Sequence, residues 1–373
     1  MQSTNAHRRS PQRRKKIAGA FVAATALLLG GLYATANAAS VDESSSSSAS
    51  TATTSSTAST VSVSDVVDAA DTFVATLDDD QQAEVLLDFT EANATAWSNL
   101  PCGSTCRVGI ELSSLSDTQL TAAKAVLEAA AGTGSGTGYD QITQILAADD
   151  VLGETASGYG SGNYYLAFLG TPSDSGTWQL HFGGHHLAVN LTYADGAVEG
   201  STPFFIGVEP TSWTDSGTTY EPLSAQRDGM LAMLESLSST ELSEAKLSES
   251  FSDVLLGPDE DGQFPSTKEG LAVSELTDAQ QQLVLDAMAP WVEVADDDTA
   301  ASVLSTYESE LDETYISYSG STGLDAQGDY VRIDGPGVWI EFVCQNGVVY
   351  QSQIHYHTVY RDHNTDYGGE FSF

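Results

Sequence analysis

Histidine is scarce in this chain and strongly clustered. Of the seven histidines in 373 residues, three lie in the segment HFGGHHLAVN, as His181, His185 and His186. Three more lie near the C-terminus, in IHYHTVYRDH. Neutral imidazole is a common ligand of zinc, copper and iron. Two windows this rich in histidine therefore predict one shared polar site that holds a divalent transition metal ion.

The spacing of the C-terminal histidines suits a β-strand. Residues two apart in a strand point to the same face, with Cα atoms about 6.5 to 7 Å apart. His355 and His357 should therefore face one way, and Tyr356 and Tyr360 the other. Two imidazoles on one face can bind a single metal ion at about 2.0 to 2.1 Å each.

The first histidine group follows two glycines. Gly183 and Gly184 permit a tight backbone path before His185 and His186. We expect one of these two histidines to continue the strand and the other to lie in a turn. His181 is a weaker ligand candidate, because the glycine pair should reverse or bulge the chain after it. The predicted metal ligands are His185, His186, His355 and His357.

Arginine is rare enough for its positions to matter. Arg361 follows the terminal histidine strand beside Asp362, and Arg332 lies in YVRIDG. A guanidinium there could bind an anionic group of a substrate, although a structural pair of Arg361 with Asp362 or Asp366 is equally compatible with the sequence. We assign Arg332 and Arg361 to substrate binding. The predicted catalytic residues are Asp362, Asp366 and Arg361, with the aspartates as general base or as groups that orient the metal ligands.

Three functional classes remain open at this point, so whether the protein is an enzyme is uncertain. The favoured class is a metal-dependent hydrolase acting on a small anionic substrate, in which a zinc ion lowers the pKa of its bound water to about 7. An oxidoreductase with copper or non-haem iron is the second class, with Tyr356 and Tyr360 as candidate electron carriers. The third is a ligand-binding or structural module without chemistry. No G-x-S-x-G or H-E-x-x-H motif occurs, which argues against serine hydrolases and zincins.

Helix signals recur along the chain. In SDVVDAADTFVATL, apolar residues follow helical spacing behind Ser64, the expected N-cap. LSDTQL, LSSTEL and LTDAQQ each combine a capping box with a preceding leucine. We interpret these three starts as shared helix-start chemistry and not as a structural repeat.

Strand signals fall into two groups. The first runs from YYLAFLG to TPFFIGV, and the second from DYVRIDG to IHYHTVY. Both consist of short aromatic or β-branched segments separated by turn residues. The order helices, strands, helices, strands predicts an α+β fold, in which one antiparallel sheet joins the two strand groups and helices flank it.

The termini of the folded part are indicated by composition. Residues 1–38 read as a signal peptide, with six basic residues before an apolar run and Ala36-Asn37-Ala38 as a cleavage site. The general secretory route is favoured over the twin-arginine route. Residues 39–62 form a Ser/Thr-rich tether that cannot repay the entropy of ordering. Residues 63–373 are expected to form a single α+β domain, in one lobe or two, and the protein should be secreted and soluble.

The chain is strongly acidic. Its 52 acidic and 13 basic residues give a formal net charge of -39, and removal of the signal peptide, with six basic and no acidic residues, would leave -45. Such a surface repels phosphate backbones and anionic lipids. We therefore expect a small-molecule substrate, no nucleic acid partner and no membrane contact beyond the signal peptide.

The cysteines fit an oxidising compartment. Cys102 and Cys106 are close enough in sequence to form a local disulfide. Cys344 lies in the apolar run VWIEFVC, where a buried, inert thiol is expected.

Three separated motifs resemble those of a known family. GHHL behind a tryptophan-containing strand, YVRIDGP followed by WIEF, and HxHTVYRD followed by DYGG are similar to motifs of the exported bacterial family catalogued as domain of unknown function 3500. The likeness extends over most of the chain beyond the tether and implies export, but no agreed activity. This chain has Val343 and Cys344 where the family often has an acidic or amide residue, so no role is carried over there. The matching positions are His185, His186, Arg332, His355, His357, Arg361, Asp362, Asp366 and Gly368.

Overall fold

The structure, a computed structural model, describes residues 62–373. The expected signal peptide and all but the last residue of the expected tether lie outside the described residues. The α-helices of the described part are α1 (Val63–Val74), α2 (Asp79–Val85), α3 (Glu91–Ala94), α4 (Asp117–Ala130), α5 (Gly138–Thr155), α6 (Ser224–Glu235), α7 (Ser239–Ala245), α8 (Asp278–Val292) and α9 (Asp297–Ser309).

The β-strands provide the frame that positions the histidines. They are β1 (Leu86–Leu87), β2 (Ile110–Glu111), β3 (Tyr165–Leu169), β4 (Thr177–Gly184), β5 (Leu187–Ala194), β6 (Ala197–Gly200), β7 (Phe204–Val208), β8 (Trp213–Asp215), β9 (Thr218–Tyr220), β10 (Leu271–Ala272), β11 (Tyr315–Ser319), β12 (Tyr330–Asp334), β13 (Val338–Asn346) and β14 (Ile354–Asp362). All of them except the β8–β9 hairpin belong to one sheet.

That sheet joins the two strand groups at its centre. Its main path is β1-β3-β4-β5-β7-β14-β13-β12-β11-β10, and all neighbours on this path are antiparallel except β1 and β3. Strand β7 of the first group pairs with β14 of the second, with Ile206 opposite Thr358 and Gly207 opposite His357. The predicted α+β fold with one sheet built from two strand groups is therefore confirmed.

The helix starts follow the expected capping chemistry, with one shift. At α4, α7 and α8, the residues Ser116, Ser238 and Thr277 are the N-caps of complete capping boxes, as predicted. At α1, however, the N-cap is Ser62 and not Ser64. The reason is Asp65, whose carboxylate accepts hydrogen bonds from the Ser62 amide and hydroxyl at 2.8 Å each and so fixes the first turn two residues earlier.

The described chain contains a structural repeat, which corrects the sequence-based interpretation. Each half contributes four strands that run in chain order from the outer part of the sheet to its centre. They are β3-β4-β5-β7 in the first half and β11-β12-β13-β14 in the second. The helix pair α1 and α4 packs together in the first half, as α6 and α8 do in the second. Gln119 of α4 donates to the Thr76 carbonyl at 2.9 Å, and Gln280 of α8 donates to the Ser236 carbonyl at 3.0 Å. The halves share this backbone register and capping geometry, and the segments that lead into α4 and α8, IELSSLSDTQ and LAVSELTDAQ, also share side chains at equivalent positions.

The two faces of the sheet have different covers. Leu180, Phe182 and Ile206 point to the face that packs against the helices in the main hydrophobic core. The opposite face carries most of the buried polar side chains. Coil segments cover it, with Trp97 packed near Phe205 and Val359. His355 and His357 lie on this second face, because they alternate with the core residue Tyr356 along β14.

A disulfide and a buried arginine hold one of the covering segments. Cys102 and Cys106 form the predicted disulfide, with Cα atoms 6.0 Å apart. Arg107 donates to the carbonyls of Ser98 and Leu100 at 2.6 Å each. This cross-linked segment lies over the polar face. Cys344 is buried, and burial raises the pKa of its thiol, as expected for an inert side chain. None of the helices between residues 62 and 373 is long and apolar enough to span a bilayer.

Candidate metal centre

The first histidine pair forms the turn of a β-hairpin. Strand β4 continues through Gly184, which pairs with Leu187 at the start of β5, so both His185 and His186 lie in the turn. The expectations that one of them continues the strand and that the glycines reverse the chain are therefore wrong. His186 has a φ of +65°, an uncommon conformation for a residue other than glycine. In this turn the two adjacent imidazoles stack on each other, with ring centroids 3.7 Å apart.

A glycine on the neighbouring strand makes room for His186. Gly207 of β7 donates its amide hydrogen to the His186 carbonyl at 2.8 Å. A Cβ atom at this position would lie 2.9 Å from His186 Cδ2 and 3.0 Å from His357 Cδ2. Both distances are shorter than ordinary van der Waals contact. Glycine therefore lets the hairpin turn and the terminal strand bring their imidazoles together.

Three histidines converge beside this glycine. His186, His355 and His357 are buried, and each offers a ring nitrogen within 4.8 Å of the other two. The Nε2 atoms of His355 and His357 are 3.2 Å apart. Two Zn–N bonds of about 2.05 Å across that gap enclose an angle of roughly 100°, close to the tetrahedral value. The group could hold a metal ion, and its members come from both halves of the repeat.

Two of these histidines, His186 and His355, have lowered pKa values that favour the neutral form, which is the form that binds metal. Burial lowers the pKa of His186 well below its usual value, and the neighbouring histidines His185, His357 and His355 lower it further. Burial and His357 lower the pKa of His355 to about 3; the Asn346 carbonyl acts in the opposite direction. His355 Nδ1 nevertheless has no partner of hydrogen-bond geometry among the described residues.

A carboxylate orients His357. Asp253 Oδ1 lies 2.9 Å from His357 Nδ1, and a carboxylate there can only accept the ring hydrogen, which leaves the Nε2 lone pair facing the other histidines. The amide nitrogens of Gln345 and Asn99 lie 3.1 and 3.4 Å from the same Nδ1 atom. Burial would raise the pKa of Asp253, but the hydrogen bond and charge of His357 outweigh it and the pKa is lowered.

His185 differs from the three clustered histidines, although the sequence predicted it as a ligand. Its Nδ1 atom donates to Asp149 Oδ1 at 2.6 Å, and both side chains are buried. Its ring stacks on that of His186 with centroids 3.7 Å apart, and the edge of Tyr159 lies against it at 4.8 Å. The structure therefore places His185 as a neighbour of the group and not within it. His181 also lies outside it, with Nδ1 2.7 Å from Asn190 Oδ1.

The predicted catalytic residues are placed away from the histidines. Arg361 lies four residues beyond His357 on β14, about 13 Å along the strand. Its guanidinium donates to the carbonyls of Leu256 and Gly257 and to the carboxylates of Asp261 and Asp366. These contacts use four of the five N–H donors of the guanidinium, so Arg361 clamps the coil segment to the sheet.

Asp362 and Asp366 also have structural partners. Asp362 accepts hydrogen bonds from the Tyr307 hydroxyl at 2.7 Å and from the amides of Asn364 and Thr365. Asp366 bonds the Arg361 guanidinium and the Asp362 amide. The general-base and orienting roles proposed for these aspartates at the metal therefore have no geometric support, whereas the alternative of a structural pair with Arg361 holds for Asp366.

Arg332 lies on β12, two strands from β14. In the strand register, Arg332 is opposite Glu341 of β13, and Glu341 is opposite Val359 of β14. Two interstrand spacings amount to about 10 Å. Arg332 therefore does not reach a ligand held by the histidines, and its own surroundings form a separate cluster.

Tyr356 and Tyr360 lie on the helix-facing side of the sheet, as the alternation predicted. Tyr356 packs against Phe342 with ring centroids 5.0 Å apart, and the Tyr360 hydroxyl lies 2.7 Å from that of Tyr307. The sheet itself separates both rings from the histidines. Neither ring therefore lies beside a metal ion held by the histidines, and their electron-transfer role stays a prediction.

Several residues at the centre gave no sequence signal. Asp149 comes from α5 and Asp253 from a coil segment, far in sequence from the histidines that they orient. Aspartates are so common in this chain that none stands out. Gly207 had a detectable signal, since a glycine in the strand FFIGV marks a bulge or a close approach of another group.

Comparisons with known proteins place the chain in a family but do not give it an activity. None of the curated proteins and none of the solved structures compared with the chain matches it. The family described as "Protein of unknown function (DUF3500)" matches residues 59–369. Because this match covers most of the chain and agrees with the resemblance of its motifs, the protein belongs to the DUF3500 family.

Proposed function

We propose that this protein is an exported metal-dependent hydrolase in which His186, His355 and His357 bind one divalent transition metal ion. The observation that carries the proposal is the meeting of three buried imidazoles, with ring nitrogens within 4.8 Å of one another. A cluster of imidazole nitrogens is a ligand set that suits zinc, copper and iron.

Zinc is the favoured metal. A site with three protein ligands leaves a further coordination position open, which is the arrangement of catalytic zinc sites. In such a site the bound ion lowers the pKa of a water molecule to about 7 and polarises a carbonyl or phosphoryl oxygen. Hydrolysis is therefore the chemistry that this ligand set supports best.

The surrounding residues have positioning roles. Asp253 holds His357 with its Nε2 lone pair toward the ion, and Asp149 holds His185 against His186. Such carboxylate–histidine pairs fix the ring orientation and raise the basicity of the imidazole. Asp253 is the only one of these two carboxylates with substantial exposure, since 46 % of its side chain is accessible. It therefore marks the side from which a substrate approaches.

The substrate is proposed to be a small molecule with a hydrolysable carbonyl or phosphoryl group. Because neither Arg332 nor Arg361 reaches the histidines, the metal ion alone would stabilise negative charge on the substrate. The acidic surface disfavours nucleic acid and anionic membranes as partners. A secreted location is supported by the Cys102–Cys106 disulfide, because such bonds persist in oxidising compartments.

The test is hydrolysis of chromogenic carboxylate and phosphate esters by the protein as purified, after chelation and after zinc is restored. We expect chelation to abolish the activity and zinc to restore it. His357→Ala should lower kcat/KM by about 100-fold or more, as loss of a metal ligand does. His181→Gln, which changes a buried histidine outside the group, is the matched control.

The outcomes separate the three classes. Activity that is unaffected by chelation and by His357→Ala contradicts the proposal. A coloured or paramagnetic protein that is active only with an electron acceptor would favour the copper or iron oxidoreductase instead. Retention of the native melting temperature and of ligand binding after chelation would favour the non-catalytic module.

A further inference from the structure

A second polar cluster surrounds Arg332, away from the histidine group. The Arg332 side chain is only 1 % exposed, and its Nε atom has no hydrogen-bond partner. One Nη atom lies 3.2 Å from Glu269 Oε2, and the guanidinium lies over the Trp339 ring at 5.0 Å. A buried guanidinium normally has all its donors satisfied, so a free Nε suggests a missing partner.

Three further buried atoms without partners lie around the same arginine. They are Ser317 Oγ, Asp334 Oδ2 and His363 Nε2. Ser317 is directly opposite Arg332 across the β11–β12 pair, and Asp334 follows it by two residues on the same face. His363 Nε2 lies 3.6 Å from Asp334 Oδ1. Unsatisfied buried polar groups are rare, and their concentration here indicates a position that a ligand fills.

The charges favour an oxyanion beside Arg332. Lys268 Nζ lies 2.6 Å from Asp334 Oδ1 and 2.7 Å from the Gly335 carbonyl, so Lys268 compensates the Asp334 carboxylate. Two other carboxylates lie near Arg332. Glu341, opposite it on β13, is engaged by Tyr330, Trp339 and two backbone amides. Glu269 has a side chain that is 49 % exposed while its arginine partner is buried. An exposed carboxylate that bonds a buried guanidinium through one contact can give way to a better-placed carboxylate of a ligand.

The free atoms also define the rest of the ligand. Arg332 Nε is a donor and can hold a carboxylate oxygen, as can the Ser317 hydroxyl. Asp334 Oδ2 is an acceptor and calls for a hydroxyl or amino hydrogen on the ligand. His363 stacks on Phe264 with centroids 3.9 Å apart, and both residues line a surface cavity of about 340 Å³, so His363 lies at the solvent side of the cluster.

We propose that Arg332, Ser317, Asp334 and His363 form a binding site for a small hydroxycarboxylate, with Glu269 as the group that it displaces. The site is distinct from the proposed metal centre. Glu341 lies on the strand between them and is fully engaged, with bonds from Tyr330, Trp339 and the amides of Leu255 and Leu256.

The test is titration of the full chain with glycolate and with acetate by isothermal titration calorimetry. Glycolate should bind more tightly than acetate, because its hydroxyl can donate to Asp334 Oδ2. Glu269→Gln should strengthen glycolate binding by about tenfold, since it removes a competing charge. His363→Gln and Arg332→Lys should weaken it by about tenfold or more. Arg227→Gln is the matched control, since Arg227 pairs with its neighbour Asp228 and lies outside the cluster.

Each outcome decides for or against the site. Equal binding by the wild type, Glu269→Gln and His363→Gln overturns the proposal. This holds even if Arg332→Lys fails to fold, because the Glu269 and His363 side chains are partly exposed and their variants should fold. Loss of glycolate binding after chelation also overturns it, since the carboxylate would then be held by a metal ion. Unchanged binding after chelation, together with the opposite effects of Glu269→Gln and His363→Gln, supports it.

Discussion

At the scale of single residues, the environment of each histidine decides its role. His355 and His357 were predictable as a pair because alternation along a strand fixes which side chains share a face. The choice between His185 and His186 was not, because it depends on the backbone conformation inside a two-residue turn. Asp149 and Asp253 were not predictable either, since only the folded chain brings them to the histidines.

His181 gives the clearest residue-scale prediction of pH dependence. Burial lowers its pKa to about 4, against hydrogen bonds with Asn190 and Ala96 that raise it, whereas in the unfolded chain the usual value of 6.5 applies. The unfolded state therefore binds the proton first as the pH falls. This contribution to stability is complete above pH 6.5, is lost progressively down to about pH 4, and amounts to about 3 kcal/mol.

Urea unfolding of the wild type and of His181→Gln between pH 4 and pH 7 measures this contribution. The free energy of unfolding should fall less steeply with decreasing pH in the variant. Parallel pH profiles for the two proteins would show that His181 is not held neutral in the folded state.

At the scale of elements, the site depends on how closely the β4–β5 turn approaches β7 and β14. Gly207→Ala places a Cβ atom 2.9 Å from both His186 Cδ2 and the Tyr356 carbonyl. The backbone of a central strand cannot move easily, so we expect a loss of about 1 to 3 kcal/mol in stability and weaker metal binding. Chemical denaturation and a zinc titration against a competing chelator measure the two effects.

The matched control for this change is Gly257→Ala. A Cβ atom there meets only Val254 Cγ2, at an ordinary 3.4 Å, so stability and metal affinity should stay near those of the wild type. If Gly207→Ala binds zinc as tightly as the control does, the close approach of the turn is not what assembles the site.

The elements themselves were largely predictable. Capping boxes located three helix starts because their hydrogen bonds are local. The repeat was missed, because the clear likeness is confined to short segments such as those that lead into α4 and α8, and paired strand positions carry unlike side chains. His181 is opposite Ala167 in the first half as Arg332 is opposite Ser317 in the second, yet one is an imidazole and the other a guanidinium. Backbone register, which no short motif records, is what the halves share.

At the scale of the whole molecule, the proposed metal centre joins the two halves of the repeat. His186 comes from the first half, whereas His355 and His357 come from the second, and β7 and β14 meet between them. The three histidines are the residues that make this part of the sheet a candidate metal site. The high negative charge of the chain adds a general attraction for cations, but it does not select a nitrogen-ligated metal.

Metal analysis of the protein, purified without a histidine tag and dialysed against zinc, tests the central claim most directly. We predict about one zinc ion per chain, bound through histidine nitrogens at about 2.0 to 2.1 Å in X-ray absorption spectra. His355→Ala and His357→Ala should lose the ion, and His363→Gln should keep it. Wild-type protein that holds no stoichiometric transition metal, or folded His355→Ala and His357→Ala variants that retain it, would contradict the account.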